Sequence, residues 1–426
     1  MSDLSHTPQI RSYLEGNLPH FLDLLREMVA INSFTANRFG VDELGVLTAQ
    51  RFGEMGFVAE TVPSENALYG RHLILTRHGS SVDGAPPPRL GLVSHLDTVF
   101  PPDEEARNDF RWRPEGERIY GPGTVDIKGG TVMIYMILSV LRDHFPELFE
   151  AITWVVLLDA TEETGGADFG RLVVQHLSEN PLACLVFEPG NWRPEGFYIV
   201  VARKGMATYR IEVEGRAAHA GSAHEHGANA IVQIADVLRR VAGLTDYERN
   251  LTFNVGTVAG GTVINRVPHF ASASVEMRAF EQAVYEEAMA RMLAFKDYAS
   301  IGAANGGYNC RVMVKVHNKV LPWPRNGGTD SLFAVWAQTA AELGFTAIPE
   351  ERAGLSDGNY FWSELPTLDG LGPAGANAHC SERSPDGGKD QEYVLATSFV
   401  PKALLNTMAI IKLINQKTAS LGSHYD

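Results

Sequence analysis

The sequence predicts an α/β protein: a mostly parallel sheet with helices on both faces, interrupted by an inserted α+β two-layer sandwich. Three observations carry this expectation. Between residues 72 and 190, unbroken apolar runs alternate with helical patterns, as βαβ units around a covered sheet require. From 207 to 213 the texture changes to strict alternation, Thr208, Arg210 and Glu212 against Tyr209, Ile211 and Val213, the mark of an antiparallel sheet with one wet face. After PWPRNGG the first texture returns, so the second domain lies inside the first. The expected boundaries are 1–200 and 318–426 for the main domain and 201–317 for the insert.

Each element has its own signal. The N-terminal stretch to Ile31 carries charges throughout and no unbroken apolar segment of signal or membrane length, so it is expected to be an amphipathic helix of a cytoplasmic protein. HLILTR, RLGLVSHLD, ITWVVLLDATEE and ACLVFEPG are short, almost wholly apolar runs and predict buried strands. A helix is expected from Lys128 to about His144, and APPP at 85–88 is expected to be a surface loop. In the insert, the helix ANAIVQIADVLRRVA, the strands LTFNVGTV and HFASASVEMRAF, a helix from Glu281 to Lys296 and the strand CRVMVKVHN form two β-helix-β halves. SLFAVWAQTAAELG, the short strands FTAIPEE and TLDGLGP, and a helix from Tyr393 to Lys417 complete the main domain.

Composition excludes several functions. With 36 Lys plus Arg against 51 Asp plus Glu, a net charge of -15 and no basic run, the chain lacks the electrostatic footprint of nucleic-acid binding. Cys184, Cys310 and Cys380 are odd in number and far apart, which fits neither a disulfide framework nor a Cys-x-x-Cys zinc knuckle but suits a reducing compartment.

Costly side chains recur at strand tips. His95 and Asp97 close the run VSHLD and share one face of the strand at the edge where open α/β sheets build their sites. Asp126 lies in the loop GPGTVDIKGG, which matches neither GxxxxGK[ST] nor GxGxxG and so is no phosphate cradle; a helix-capping role is the structural alternative. Glu162 and Glu163 end LLDATEETGG, Glu188 ends VFEPG, and His379 stands in GANAHCSER. Two imidazoles and five carboxylates brought to one sheet edge demand cations. A mixed imidazole–carboxylate set suits zinc, cobalt or manganese and exceeds what one tetrahedral ion takes.

These motifs, in this order, resemble the M20 metallopeptidase family, most closely its glutamate carboxypeptidase branch. The resemblance implies that His95, Asp126 and Glu188 hold one Zn2+ and that Asp126, Glu163 and His379 hold a second, with Asp126 bridging. It implies that Asp97 orients His95, and that Glu162 is the general base. It makes His219 in GRAAHAGS the group that reaches the partner subunit's site and stabilises the oxyanion. Asn265 in GGTVINRVP and Arg278 in VEMRAF become substrate-binding residues, the arginine taking a free carboxylate, although a strand-face salt bridge would equally suit Arg278. Ser356 and Gly358 in GLSDGNYF would offer backbone donors. The insert is then a dimerisation or lid domain and the protein a homodimer. The resemblance implies as substrate a peptide or N-acyl conjugate that loses a C-terminal residue such as glutamate; a dipeptidase or N-acyl-amino-acid deacylase is the alternative, and the glutamate at 188 favours carboxypeptidase-like or deacylase members.

The chain departs from the family after His379, where CSERSPDGGKDQEY is longer than usual and puts Cys380 beside a ligand. A cysteine hydrolase built on Cys380 with His219 or His379 would not require five further acids. A metal-free binding protein would not keep the whole donor set. Trp192, Tyr198, Trp323, Tyr360, Phe361 and Trp362 are candidates for a specificity pocket, or core.

Overall fold

The computed structural model describes residues 6–81 and 86–422; Ala85 of the APPP loop lies outside them. The chain forms two compact units, one of Met1–Val201, Arg325–Glu351 and Ser356–Asp426, the other of Ala202–Pro324 with Arg352–Leu355.

The main unit is built on a six-stranded sheet in the order Val58–Pro63, Arg71–Arg77, Thr153–Asp159, Arg89–His95, Pro181–Val186, Thr367–Leu368. The pairings from Thr153–Asp159 to Thr367–Leu368 are parallel. Arg71–Arg77 runs antiparallel to both its neighbours, so the βαβ reading of HLILTR does not extend to this edge. Alternate residues of the central strands enter different clusters. Leu92, Val156 and Leu158 pack with the helices Thr7–Val29, Lys128–His144 and Ala396–Gly422. Val93, Val155 and Leu157 pack with Phe169, Val173 and Leu177 of the helix Ala167–Leu177. Both faces are therefore covered, which explains why these strands read as continuous apolar runs.

Helix Lys128–His144 is buried from Lys128 to Leu141, carries Arg142 and His144 in its last turn, and stops at Phe145 before Pro146, as the C-terminal dipole and the pre-proline restriction dictate. The stretch Ala396–Lys417 is long and apolar enough to cross a membrane. Ala403, Leu404, Ala409 and Ile410 within it are fully buried in the unit's core, so it serves as a central core helix.

A second, four-stranded sheet joins Gly375–Ala376, Tyr393–Leu395, Arg118–Tyr120 and Arg113–Glu115 in that order. Its strands are two or three residues long, too short for any periodicity, and the sequence pattern gave no sign of it.

The inserted unit holds a four-stranded antiparallel sheet in the order Thr252–Gly260, Phe270–Ala279, Gly205–Glu214, Arg311–Val320. Along Gly205–Glu214 buried and half-exposed residues alternate, with Tyr209, Ile211 and Val213 inside. They meet Ile234, Val237 and Val241 of helix Ala230–Ala242 and Tyr285, Ala288 and Met292 of helix Gln282–Leu293.

Candidate metal centre

The tips of three parallel strands deliver the acids. Strand Arg89–His95 ends on His95, buried to 1% exposure. Its register partner in Thr153–Asp159 is Asp159, after which a short turn at Glu162–Thr164 presents Glu162 and Glu163. Strand Pro181–Val186 runs into Glu188, also buried. Asp126 precedes helix Lys128–His144 but does not cap it: the capping position is Ile127 and no side-chain cap bond is made. The carboxylate is left for other work.

That work is visible in the distances. Asp126 Oδ1 lies 3.2 Å from His95 Nε2, and Asp126 Oδ2 lies 3.3 Å from His379 Nε2. Glu188 Oε1 stands 3.9 Å from His95 Nε2, and Glu163 Oε2 stands 3.2 Å from His379 Nε2. The two oxygens of one carboxylate thus separate two sets, each of one imidazole and one glutamate. Donor atoms of His95, Asp126 and Glu163 lie within 4.8 Å of one another. His379 adopts a positive φ of 66°, rare outside glycine, and its ring is half-exposed on a rim otherwise buried.

The field in this cluster is strongly negative. Hydrogen bonds to Asp126 and Glu163 push His379 up to about 11. Burial pulls His95 down, but its bonds to Asp126 and Asp97 outweigh that and hold it well above its ordinary value. Burial raises Glu162, which His95 partly offsets and Glu188, Glu163 and Asp126 reinforce, leaving its carboxyl well above the usual range. Acids that draw protons so firmly onto two imidazoles form a field that divalent cations would neutralise as well. The donors are oxygen and imidazole without thiolate, so the residues fit borderline divalent metals.

Asp97 meets His95 through two groups and has a further task. The nearest acceptor for His95 Nδ1 is the backbone carbonyl of Asp97, at 2.9 Å, while the carboxylate Oδ1 is 3.5 Å away. The carboxylate also accepts from Glu162 N (3.2 Å), Glu163 N (3.3 Å) and Thr35 Oγ1 (2.7 Å). It fixes the turn carrying the two glutamates; the chain folds back after His95, so the carbonyl takes the orienting position.

Behind that turn lies a buried network with no sequence signal. His72, fully buried, places Nδ1 3.0 Å from Asp159 Oδ1 and Nε2 3.2 Å from Asp168 Oδ2. Asp159 Oδ1 also accepts from the backbone and hydroxyl of Thr161, at 2.7 and 3.0 Å. Burial lowers His72, but the two aspartates outweigh it and push it up to about 9.

Ser356 and Gly358 do not present free donors. Ser356 N donates to Asn359 Oδ1 (3.2 Å) and Gly358 N to Ser356 Oγ (3.3 Å), closing a capping box inside a buried turn; the turn's own geometry consumes them. Cys380 turns its thiol to the carbonyl of Glu382, away from a ligand role. Trp323 and Phe361 are fully buried core residues, whereas Trp192 is partly exposed and stacks on Phe197.

In the inserted unit His219 and Asn265 are neighbours: Ala220 N donates to the carbonyl of Asn265 at 3.0 Å, beside the bridge between His219 and Arg266. His219 Nδ1 accepts from Gly221 N and Ser222 N, both at 3.1 Å. A neutral ring so held keeps its proton on Nε2, which becomes an outward donor. Arg278 is already engaged, its Nε 2.7 Å from Glu276 Oε1 and its Nη1 donating to the carbonyl of Ala353 at 2.9 Å.

With this geometry in place, comparison with known proteins is informative. The profile of peptidase family M20/M25/M40 matches residues 91–404. Carboxypeptidase G2 of Pseudomonas sp. (strain RS-16) is 27% identical over 365 residues, covering 85% of this chain and 83% of that protein. An acetylornithine deacetylase of Klebsiella pneumoniae (strain 342) is 28% identical over 271 residues, covering 60% and 66%. Among solved structures the fold is similar to that of aminopeptidase PepT from Bacillus cereus, with a TM-score of 0.73 at 22% identity over 93% of this chain and 99% of that one.

Proposed function

Because this chain belongs to peptidase family M20/M25/M40, a family of metal-dependent peptidases and amidohydrolases, we propose that it is a dinuclear metal hydrolase. It releases a C-terminal amino acid, glutamate by preference, from a peptide or N-acyl conjugate. The observation that carries this reading is the pair of imidazoles facing opposite oxygens of Asp126, at 3.2 and 3.3 Å. His95, Asp126 and Glu188 would hold one ion and Asp126, Glu163 and His379 the other. Zinc is the proposed metal, with cobalt and manganese suited to the same donors. When bound, such a pair supplies a water acidified toward neutrality and a polarised carbonyl.

Glu162 is the acid left over once the ligands are assigned. Its carboxylate takes the proton of the attacking water as oxygen bonds to the amide carbon, then gives it to the nitrogen as the C–N bond breaks. The turn holding it is fixed through Asp97 and Thr161. His219, with its Nε2 proton outward, is the proposed oxyanion donor, acting on the site of a second subunit in a homodimer. The exposed apolar residues Val258, Val263 and Ile264 of the insert support such an association. Arg278 would exchange Glu276 for the substrate carboxylate. The free cysteines suit the cytoplasm as its compartment.

Similarity to carboxypeptidase G2 over 85% of the chain supports carboxypeptidase action; similarity to acetylornithine deacetylase over 60% supports deacylase or dipeptidase action as the second reading. Elemental analysis, and hydrolysis of N-acyl conjugates of glutamate, aspartate and neutral residues, distinguish them. We expect two metal equivalents per chain and fastest release of glutamate. Protein without transition metal, or inert on the whole panel after metal addition, would overturn the proposal.

A further inference from the structure

Glu392 is fully buried yet lies in CSERSPDGGKDQEY, a stretch whose composition reads as solvated loop. Its surroundings explain why an acid is kept there. Carboxylate Oε1 accepts from Val125 N at 3.0 Å and from Asp126 N at 3.3 Å. The backbone N–H of Glu392 donates to the carbonyl of Cys380 at 2.7 Å, and its carbonyl accepts from Gly121 N at 3.4 Å. One residue is therefore bonded on one side to the loop of Asp126 and on the other to the residue following His379.

The small second sheet makes this possible. Strand Arg118–Tyr120 leads into the Asp126 loop and strand Gly375–Ala376 leads toward His379, while Tyr393–Leu395, paired to both, begins immediately after Glu392. The other carboxylate oxygen, Oε2, is buried without a hydrogen-bond partner among the described residues. A buried acid with one oxygen unsatisfied is costly unless its other oxygen does something an apolar residue could not. Burial and the nearby Asp126 push the Glu392 carboxyl up to about 8, against the two backbone amides that favour the charged form; Lys128, buried with Nζ on the carbonyl of Ile31, answers to Glu105 before Glu392.

We infer that Glu392 is a positioning residue that sets the spacing between Asp126 and His379, and thus holds open the site of the second cation. It is placed to touch neither substrate nor ion, and it acts by accepting the two amide hydrogens of the Asp126 loop. The inference rests on the dinuclear reading above.

The test is titration of chelator-stripped protein with Co2+, following visible absorption and equilibrium dialysis. The wild type should take up two equivalents. Glu392→Met, which keeps the volume and removes the acceptor, should bind the second equivalent about ten- to a hundredfold more weakly, the usual cost of losing an outer partner of a metal ligand. Glu392→Gln, which retains a carbonyl oxygen for both amides, should restore binding to within a few-fold. Equal affinity in wild type and Glu392→Met overturns the inference while leaving the proposed function standing, and a loss in Glu392→Gln as large as in the methionine variant also overturns it. If the methionine variant does not fold, Glu392→Asp decides: the carboxyl group stays but its oxygen withdraws by a methylene, and unchanged affinity there would refute the role. A wild type that binds fewer than two equivalents removes both the proposed function and this inference.

Discussion

The acid cluster of the main unit and the trio His219, Asn265 and Arg278 of the insert make an instructive pair. The first is assembled by strand tips of the six-stranded sheet and by loops that leave the small second sheet, its members are mostly buried, and they answer to one another at 3 to 4 Å. In the second only Arg278 stands on a strand, His219 and Asn265 lying in loops, and none meets the side chain of another: His219 binds its own following backbone, Arg278 binds Glu276 and the carbonyl of Ala353. A site whose parts constrain each other declares its chemistry by geometry alone. A site whose parts do not bind one another declares donors and leaves their target to experiment.

The contrast sharpens or breaks by substitution. The largest effect is expected at Glu162: Glu162→Gln should lower kcat by about 10²–10⁴-fold, the range for a general acid–base, while elemental analysis finds both metals in place. Retained turnover would remove Glu162 from the mechanism. Next comes His219→Ala, expected to cost about 10²–10³-fold in kcat, as for a lost oxyanion donor. Mixing it with Glu162→Gln should restore part of the activity through mixed dimers, each with one intact composite site; no recovery after subunit exchange would confine His219 to its own subunit's surface.

The smallest effect concerns stability. His72 is raised to about 9 between Asp159 and Asp168, above its unfolded value of about 6.5. Its charged form therefore stabilises the fold fully below pH about 6.5, and that contribution, on the order of 3 kcal/mol, falls away as pH rises through about 9. Thermal melts of wild type and His72→Gln between pH 6 and 10 should converge on the alkaline side. Parallel curves would show that the ring folds neutral.

Much of this was legible in the sequence for a physical reason. Apolar runs such as RLGLVSH and TWVVLLD are written by burial on two faces, and a charged side chain at the end of such a run stands out because nothing apolar explains it. The texture change at 207–213 marked the insert in the same way. What stayed hidden involves residues whose surroundings come from far along the chain. Glu392 looks like loop because its partners are at 121–126, and His72 looks like an ordinary strand histidine because Asp159 and Asp168 reach it from elsewhere. The second task of Asp97, holding the turn of Glu162 and Glu163, and the use of its carbonyl on His95 were hidden because spacing places side chains but not backbone groups. The donors assigned to Ser356 and Gly358 vanished into a capping box, which local composition permits but does not announce.

The insertion of Ala202–Pro324 into the main unit has a consequence for biosynthesis. A chain emerging from the ribosome completes the acids at 126, 162, 163 and 188 early, but the edge strand Thr367–Leu368, the helix Ala396–Gly422 and His379 arrive only after the whole insert has been made. Contacts this distant in sequence close late and slowly, so the nascent main unit must wait, with its apolar face uncovered, for its own last hundred residues.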